Sequence, residues 1–86
     1  MAYFSAIKLN EQKIQSIGSY AVRNEGSIYI EVYWEKLEKE FMRYKRNYEE
    51  LGEVAFYHED TKEEDVHKGP YSIQMVNQGL IQLKKI

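Results

Sequence analysis

Hydrophobic and polar residues alternate along the first third of the chain, which is the pattern of β-strands. The alternation over residues 2–9 predicts a first strand, and Asn10-Glu11 after it is typical of a turn. Residues 12–22 are ambiguous, because the spacing of their isoleucines fits a helix whereas Gly18 in mid-segment suits a strand with a bulge. We favour the strand.

The segment SIYIEVYW, residues 27–34, predicts a third strand that follows a turn containing Gly26. Large side chains stand on both of its faces, because alternate residues of a strand point in opposite directions. The face that we expect to be covered carries Ile28, Ile30, Val32 and Trp34. The opposite face carries Tyr29, Glu31 and Tyr33, which we expect to form an amphipathic surface available to a partner.

After the third strand the large apolar residues recur at intervals of three and four, which predicts an amphipathic helix of about 17 residues. Gly52 stands where a left-handed residue commonly closes a helix. A single helix of this length covers one face of a small sheet, and we expect it to cover the isoleucine face of the third strand. Its apolar face comprises Trp34, Leu37, Phe41, Tyr44, Tyr48 and Leu51.

The second half of the chain predicts three more strands. Residues 53–58 read as a fourth strand, and the polar run over residues 59–70 reads as a mobile loop. Residues 71–76 and 80–86 predict a hairpin around Asn77-Gln78-Gly79.

The order of these elements, β-β-β-α-β-β-β, predicts the α+β class. We expect residues 1–86 to form one domain, a small antiparallel sheet or half-open barrel with one amphipathic helix packed on one face. Two arrangements of the second sheet face stay open. Either the C-terminal hairpin folds over Tyr29 and Tyr33, or the two tyrosines are exposed.

Composition narrows the classes of function. The chain has no cysteine, which excludes disulfides, thiolate metal sites and thiol catalysis and suits a reducing cytoplasm. The first ten residues lack the pattern of a signal peptide, and no apolar run approaches the roughly 18 residues of a membrane span. We therefore expect a cytoplasmic protein that does not associate with membranes.

No segment carries a reaction-specific motif. The serines lie outside any GxSxG elbow, and the glycines form neither GxGxxG nor a P-loop. His58 and His67, with Asp60 or Glu64, offer nitrogen and oxygen ligands, but they lack the spacing of a known metal site. We expect a protein that is not an enzyme and that holds neither a cofactor nor a metal.

The acidic run in the predicted loop is the strongest cluster of charge in the chain. It lacks the alternating ligands and central glycine of a calcium loop, so it predicts a solvated segment or a contact for a protein partner. Its members are Glu59, Asp60, Glu63, Glu64 and Asp65.

Binding of another macromolecule is the class of function that remains. Eight tyrosines in 86 residues favour protein contacts, because tyrosine is enriched at interface hot spots. We expect a regulatory protein that binds a protein partner through Tyr29, Glu31, Tyr33 and the acidic run, and a homodimer is the simplest case. The frequent lysine and tyrosine suggest an inhibitor or accessory protein of a phage or mobile element.

The alternative is a small protein that binds single-stranded nucleic acid. Basic residues cluster on the predicted helix at Arg43, Lys45 and Arg46, and Lys84 and Lys85 lie near the end of the chain. A net charge of −2 makes nucleic acid the less favoured partner.

Overall fold

A computed structural model describes residues 2–86, which form six β-strands and one α-helix. All neighbouring strands are antiparallel, and the sheet closes on itself in the order β1-β2-β3-β6-β5-β4. The predicted order of elements is confirmed, and the sheet is a closed barrel. The elements are β1 (Ala2–Leu9), β2 (Gln12–Val22), β3 (Ile28–Val32), α1 (Glu35–Arg46), β4 (Leu51–His58), β5 (Glu63–Asn77) and β6 (Leu80–Lys85).

Two three-stranded meanders build the barrel, and each is joined to the other at both of its outer strands. β1 pairs with β4, so that Ile7 lies opposite Phe56, and β3 pairs with β6, so that Ile30 lies opposite Ile81. Closure gives every strand an interior face, and the alternating apolar residues fill it. The isoleucine face of β3 therefore lines the barrel interior, where Ile28 and Ile30 are almost fully buried.

The strand prediction for residues 12–22 is confirmed, together with its bulge. Phe4 of β1 lies opposite Gly18 of β2, but Ala6 lies opposite Gln15, so β2 contains one extra residue in this interval. Such a bulge bends a strand and increases its twist, which helps a small sheet to close.

The helix lies across one end of the barrel. Glu38 of α1 accepts a hydrogen bond from the backbone N–H of Gly79 at 3.1 Å, and the Tyr44 hydroxyl donates to Oε1 of Gln12 at 3.4 Å. Gln12 begins β2 and Gly79 lies in the β5–β6 turn, so both mark the barrel end at which β3 finishes. Leu37, Phe41 and Tyr44 complete the core from this end, whereas the sequence placed the helix over a sheet face.

Two predicted boundaries of the helix are wrong. Trp34 has extended backbone angles before the first turn and is 48% exposed, although its spacing placed it in the core. The helix ends at Arg46, and Tyr48, in the left-handed region with φ 54°, is 93% exposed. Leu51 begins β4 and lies opposite Tyr71 of β5, so neither Tyr48 nor Leu51 belongs to the helix and Gly52 does not close it.

The predicted loop over residues 59–70 is also wrong. β5 begins at Glu63 and pairs with β4, which places Glu64 opposite Tyr57 and Asp65 opposite Phe56, and only residues 59–62 connect the two strands. Acidic residues therefore occupy a regular strand whose inward positions are partly polar.

The C-terminal hairpin lies beside the tyrosine face of β3 and does not fold over it. β6 pairs with β3, so that Gln82 lies opposite Tyr29. The turn has positive φ at both central residues, 49° at Gln78 and 82° at Gly79, which is the type I′ geometry preferred in tight hairpins. Tyr29 and Tyr33 are both partly exposed, as one of the two expected arrangements requires.

Candidate functional site

An outward-facing groove crosses β2, β3, β6 and β5 and encloses a volume of about 380 Å³. The strand register explains its position, because Ala21, Tyr29, Gln82 and Met75 stand opposite one another in successive strands. We call it the tyrosine groove. Its outward-facing lining residues are Ser19, Ala21, Arg23, Tyr29, Glu31, Met75 and Leu80.

The tyrosine groove exposes large apolar side chains that are already held in place. Leu80 is 50% exposed and Tyr29 38% exposed. The guanidinium carbon of Arg23 lies 5.3 Å from the centre of the Tyr29 ring, and Nε2 of Gln82 donates to the Tyr29 hydroxyl at 3.2 Å. A side chain fixed on two sides loses little conformational freedom on binding, which favours affinity.

Ser19 adds a polar group to this apolar lining. The residue is 1% exposed, and its hydroxyl has no hydrogen-bond partner among the described residues. A buried hydroxyl without a partner destabilises a folded chain by about 1–3 kcal/mol. Because the Ser19 oxygen has almost no accessible surface, a ligand in the groove does not reach it unless the side chains above it move.

The structure brings together only part of the predicted partner-binding set. Tyr29 and Glu31 line the groove, whereas Tyr33 is exposed but follows the last residue of β3 and is not part of the lining. The acidic residues lie elsewhere: Glu59 and Asp60 are in the β4–β5 turn, and Glu63, Glu64 and Asp65 begin β5 where it pairs with β4.

Five lining residues are not indicated by the sequence pattern. Ser19 and Ala21 lie within β2, Arg23 follows it, and Met75 and Leu80 belong to the C-terminal hairpin. The outward parity of β2 is the signal that could have pointed to Ser19. Met75 and Leu80 join the groove only because β6 pairs with β3, and that pairing depends on closure of the barrel.

A second group of polar side chains, the mouth cluster, lies at the barrel end opposite α1. The Tyr20 hydroxyl donates to Oδ2 of Asp65 at 2.8 Å and also lies 2.8 Å from Nε2 of His58. Nε2 of His67 is 3.0 Å from the same Asp65 oxygen. Since a phenol has one proton to donate, Nε2 of His58 must carry the proton that it shares with Tyr20.

The surroundings of the mouth cluster shift the pKa values of Tyr20 and Asp65. Burial and the hydrogen bond to Asp65 raise the pKa of Tyr20, so the phenol stays protonated at neutral pH. Burial alone would raise the pKa of Asp65, but the contacts with His67 and Tyr20 and the charges of His67 and His58 outweigh it and lower that pKa. Tyr20 also stacks on Phe56, with ring centroids 3.7 Å apart. The mouth cluster is therefore continuous with the apolar core at the barrel end opposite α1.

The mouth cluster therefore fills this end of the barrel with polar side chains. Tyr20 is 5% exposed, which leaves its oxygen little access to a reactant. Within residues 2–86, no group of three or more His, Cys, Asp or Glu side chains is arranged to hold a metal ion. His58 and His67 face inward from paired strands and meet through Tyr20 and Asp65, instead of bracketing a loop.

Stability at low pH should depend on Asp65. A carboxyl group whose pKa is lowered in the folded chain stabilises it fully above the unfolded pKa, near 4, and progressively less as the pH falls through the folded value. The thermal midpoint of the wild type should therefore fall more steeply between about pH 5 and pH 2.5 than that of Asp65→Asn. Glu63→Gln, on an exposed position of the same strand, should follow the wild type. Parallel curves for wild type and Asp65→Asn would contradict this assignment.

Comparison with known proteins yields no matching family model, no matching curated protein and no matching solved structure. Across the described part of the chain, no helix has the length and apolar character needed to cross a membrane. The class of function must be argued from the barrel surface itself.

Proposed function

We propose that this chain is a non-enzymatic protein-binding protein that uses the tyrosine groove as its contact surface. The observation that carries the proposal is the presence in one groove of exposed apolar residues, Leu80 and Tyr29, with the Tyr29 ring already held by Arg23 and Gln82. Protein interfaces have this character: an apolar, aromatic-rich centre, a charged rim and a few directed hydrogen bonds. Arg23 and Glu31 supply the charges here.

A protein partner fits this groove better than nucleic acid does. Phosphate-driven binding needs several cations along one path, whereas the charged residues that line the groove are one cation, Arg23, and one anion, Glu31. On the helix, Arg43 already contacts the Glu40 carboxylate at 2.9 Å and lies over the Tyr44 ring. The basic cluster of the sequence is thus partly neutralised within the chain.

Capture experiments with matched variants test the proposal. Tagged wild-type protein should retain a partner from an extract of the source cells, and Tyr29→Ser or Leu80→Ser should each weaken that binding by about 2 kcal/mol, or roughly 30-fold. Tyr48→Ser removes a tyrosine that is almost fully exposed outside the groove, and it should bind like the wild type. The same partner retained by all four proteins at equal affinity would place the contact surface elsewhere.

A further inference from the structure

We propose that the partner of the tyrosine groove is a second copy of this chain, related to the first by a twofold axis that passes close to Tyr29. This inference rests on the proposed function, because it names the partner of the same surface. Its basis is the distribution of charge along the groove, which is complementary to itself when one copy is rotated by half a turn.

Arg23 and Glu31 are the charged residues that line the groove, and the strand register places their backbones on opposite sides of Tyr29. The Arg23 side chain reaches toward Tyr29, with its guanidinium carbon 5.3 Å from the centre of that ring. Arg23 lies level with Ser27, since its backbone N–H donates to the Ser27 carbonyl at 2.8 Å. Tyr29 lies midway between Ser27 and Glu31 along the chain. At the usual rise of a strand, the Cα atoms of Ser27 and Glu31 are about 13 Å apart. Neither charge forms an ion pair within residues 2–86.

A half-turn about an axis that lies parallel to the sheet surface, perpendicular to β3 and just outside Tyr29, turns the second copy face to face with the first and exchanges the two ends of the groove. Arg23 of one copy then meets Glu31 of the other, and the same pair forms a second time across the axis. Tyr29 meets its own symmetry mate, with Leu80 and Met75 beside it in the apolar centre. Twofold pairing of this isologous kind is the commonest form of homo-oligomer, because it closes after two subunits.

Charge reversal tests this geometry. At high micromolar concentration the wild type should be a dimer in light scattering. Arg23→Glu and Glu31→Arg should each raise the dimer dissociation constant at least tenfold, because each places like charges together twice. The double variant Arg23→Glu/Glu31→Arg should dimerise again. An equimolar mixture of the two single variants should form a heterodimer, because both cross-axis pairs are then of opposite sign. Lys39→Glu, an exposed charge on α1, serves as a control and should leave the dimer unchanged.

Each other outcome overturns the inference. A monomeric wild type, unchanged dimers in both single variants, or single variants that do not recombine on mixing would all exclude the twofold pairing of Arg23 with Glu31. Circular dichroism of each variant distinguishes a lost interface from a lost fold. If the wild type is monomeric but Tyr29→Ser still loses a captured protein, self-association is wrong and the proposed function stands. If Tyr29→Ser and Leu80→Ser also retain the captured protein as well as the wild type does, both the self-association and the proposed function are wrong.

Discussion

Replacing Phe41 by alanine is expected to lower the free energy of unfolding by about 3–5 kcal/mol. The Phe41 side chain is fully buried and belongs to the core that α1 completes at its end of the barrel. Truncation removes apolar contacts and leaves a cavity that the paired strands around it cannot collapse to fill. Small domains are stable by about 5–15 kcal/mol, so the change removes a large part of the total. Urea unfolding followed by circular dichroism measures it.

Met42→Ala is the matched control, because Met42 is the next residue of the same helix and is 42% exposed. This change also shortens a large apolar side chain, yet it should alter stability by less than about 1 kcal/mol. Equal losses in the two variants would mean that the buried and exposed faces of α1 are assigned wrongly.

Alternation of polar and apolar residues predicted the strands whose two faces differ in chemistry. β1 and β2 have the predicted bounds, and Val54 and Phe56 of β4 face the core as expected. In these strands most inward positions are apolar, so residue type indicates burial at most of them. Ser16, which is buried, and Tyr3 and Ile17, which are exposed, are exceptions.

The prediction failed where burial depends on a distant partner. Asp65 and His67 occupy inward positions of β5, and the hydroxyl of Tyr20 from another meander is what satisfies Asp65. The local sequence pattern of β5 does not indicate this contact, so the polar residues of β5 predicted a loop. The spacing of Tyr48 and Leu51 likewise continued the helical period by coincidence, although the backbone leaves the helix at Arg46.

Only part of the candidate site could be predicted from the sequence, for the same reason. Tyr29 and Glu31 follow from the parity of β3 alone, whereas Leu80 and Met75 enter the groove through the register of β6 on β3 and β5. The register of β6 on β3 and β5 depends on closure of the barrel, and closure depends on bulges that a single sequence indicates only weakly. Gly18 is one such indication.

Replacing Gly18 by alanine is expected to destabilise the chain by about 1–3 kcal/mol. A Cβ atom at this position would overlap the Phe4 ring and approach the backbone carbonyl oxygen of Glu31 to 2.6 Å. The carbonyl belongs to β3, which pairs with β2 at this level, so a change of side-chain rotamer cannot move it away. The Phe4 ring is packed against Phe56 with centroids 5.4 Å apart, so displacing it disturbs the centre of the core.

Gly52→Ala provides the control within β4. A Cβ atom there would have Asn10 Oδ1 as its near neighbour at 3.6 Å, an ordinary contact, and Gly52 is not one of the glycines with positive φ. Its stability should therefore be unchanged or higher by up to about 1 kcal/mol, because alanine restricts the unfolded chain more than glycine does. Chemical unfolding of both variants beside the wild type decides the matter. A Gly18→Ala protein as stable as Gly52→Ala would show that β1, β2 and β3 do not approach one another closely at Gly18, and the bulge would then have no steric role in closing the barrel.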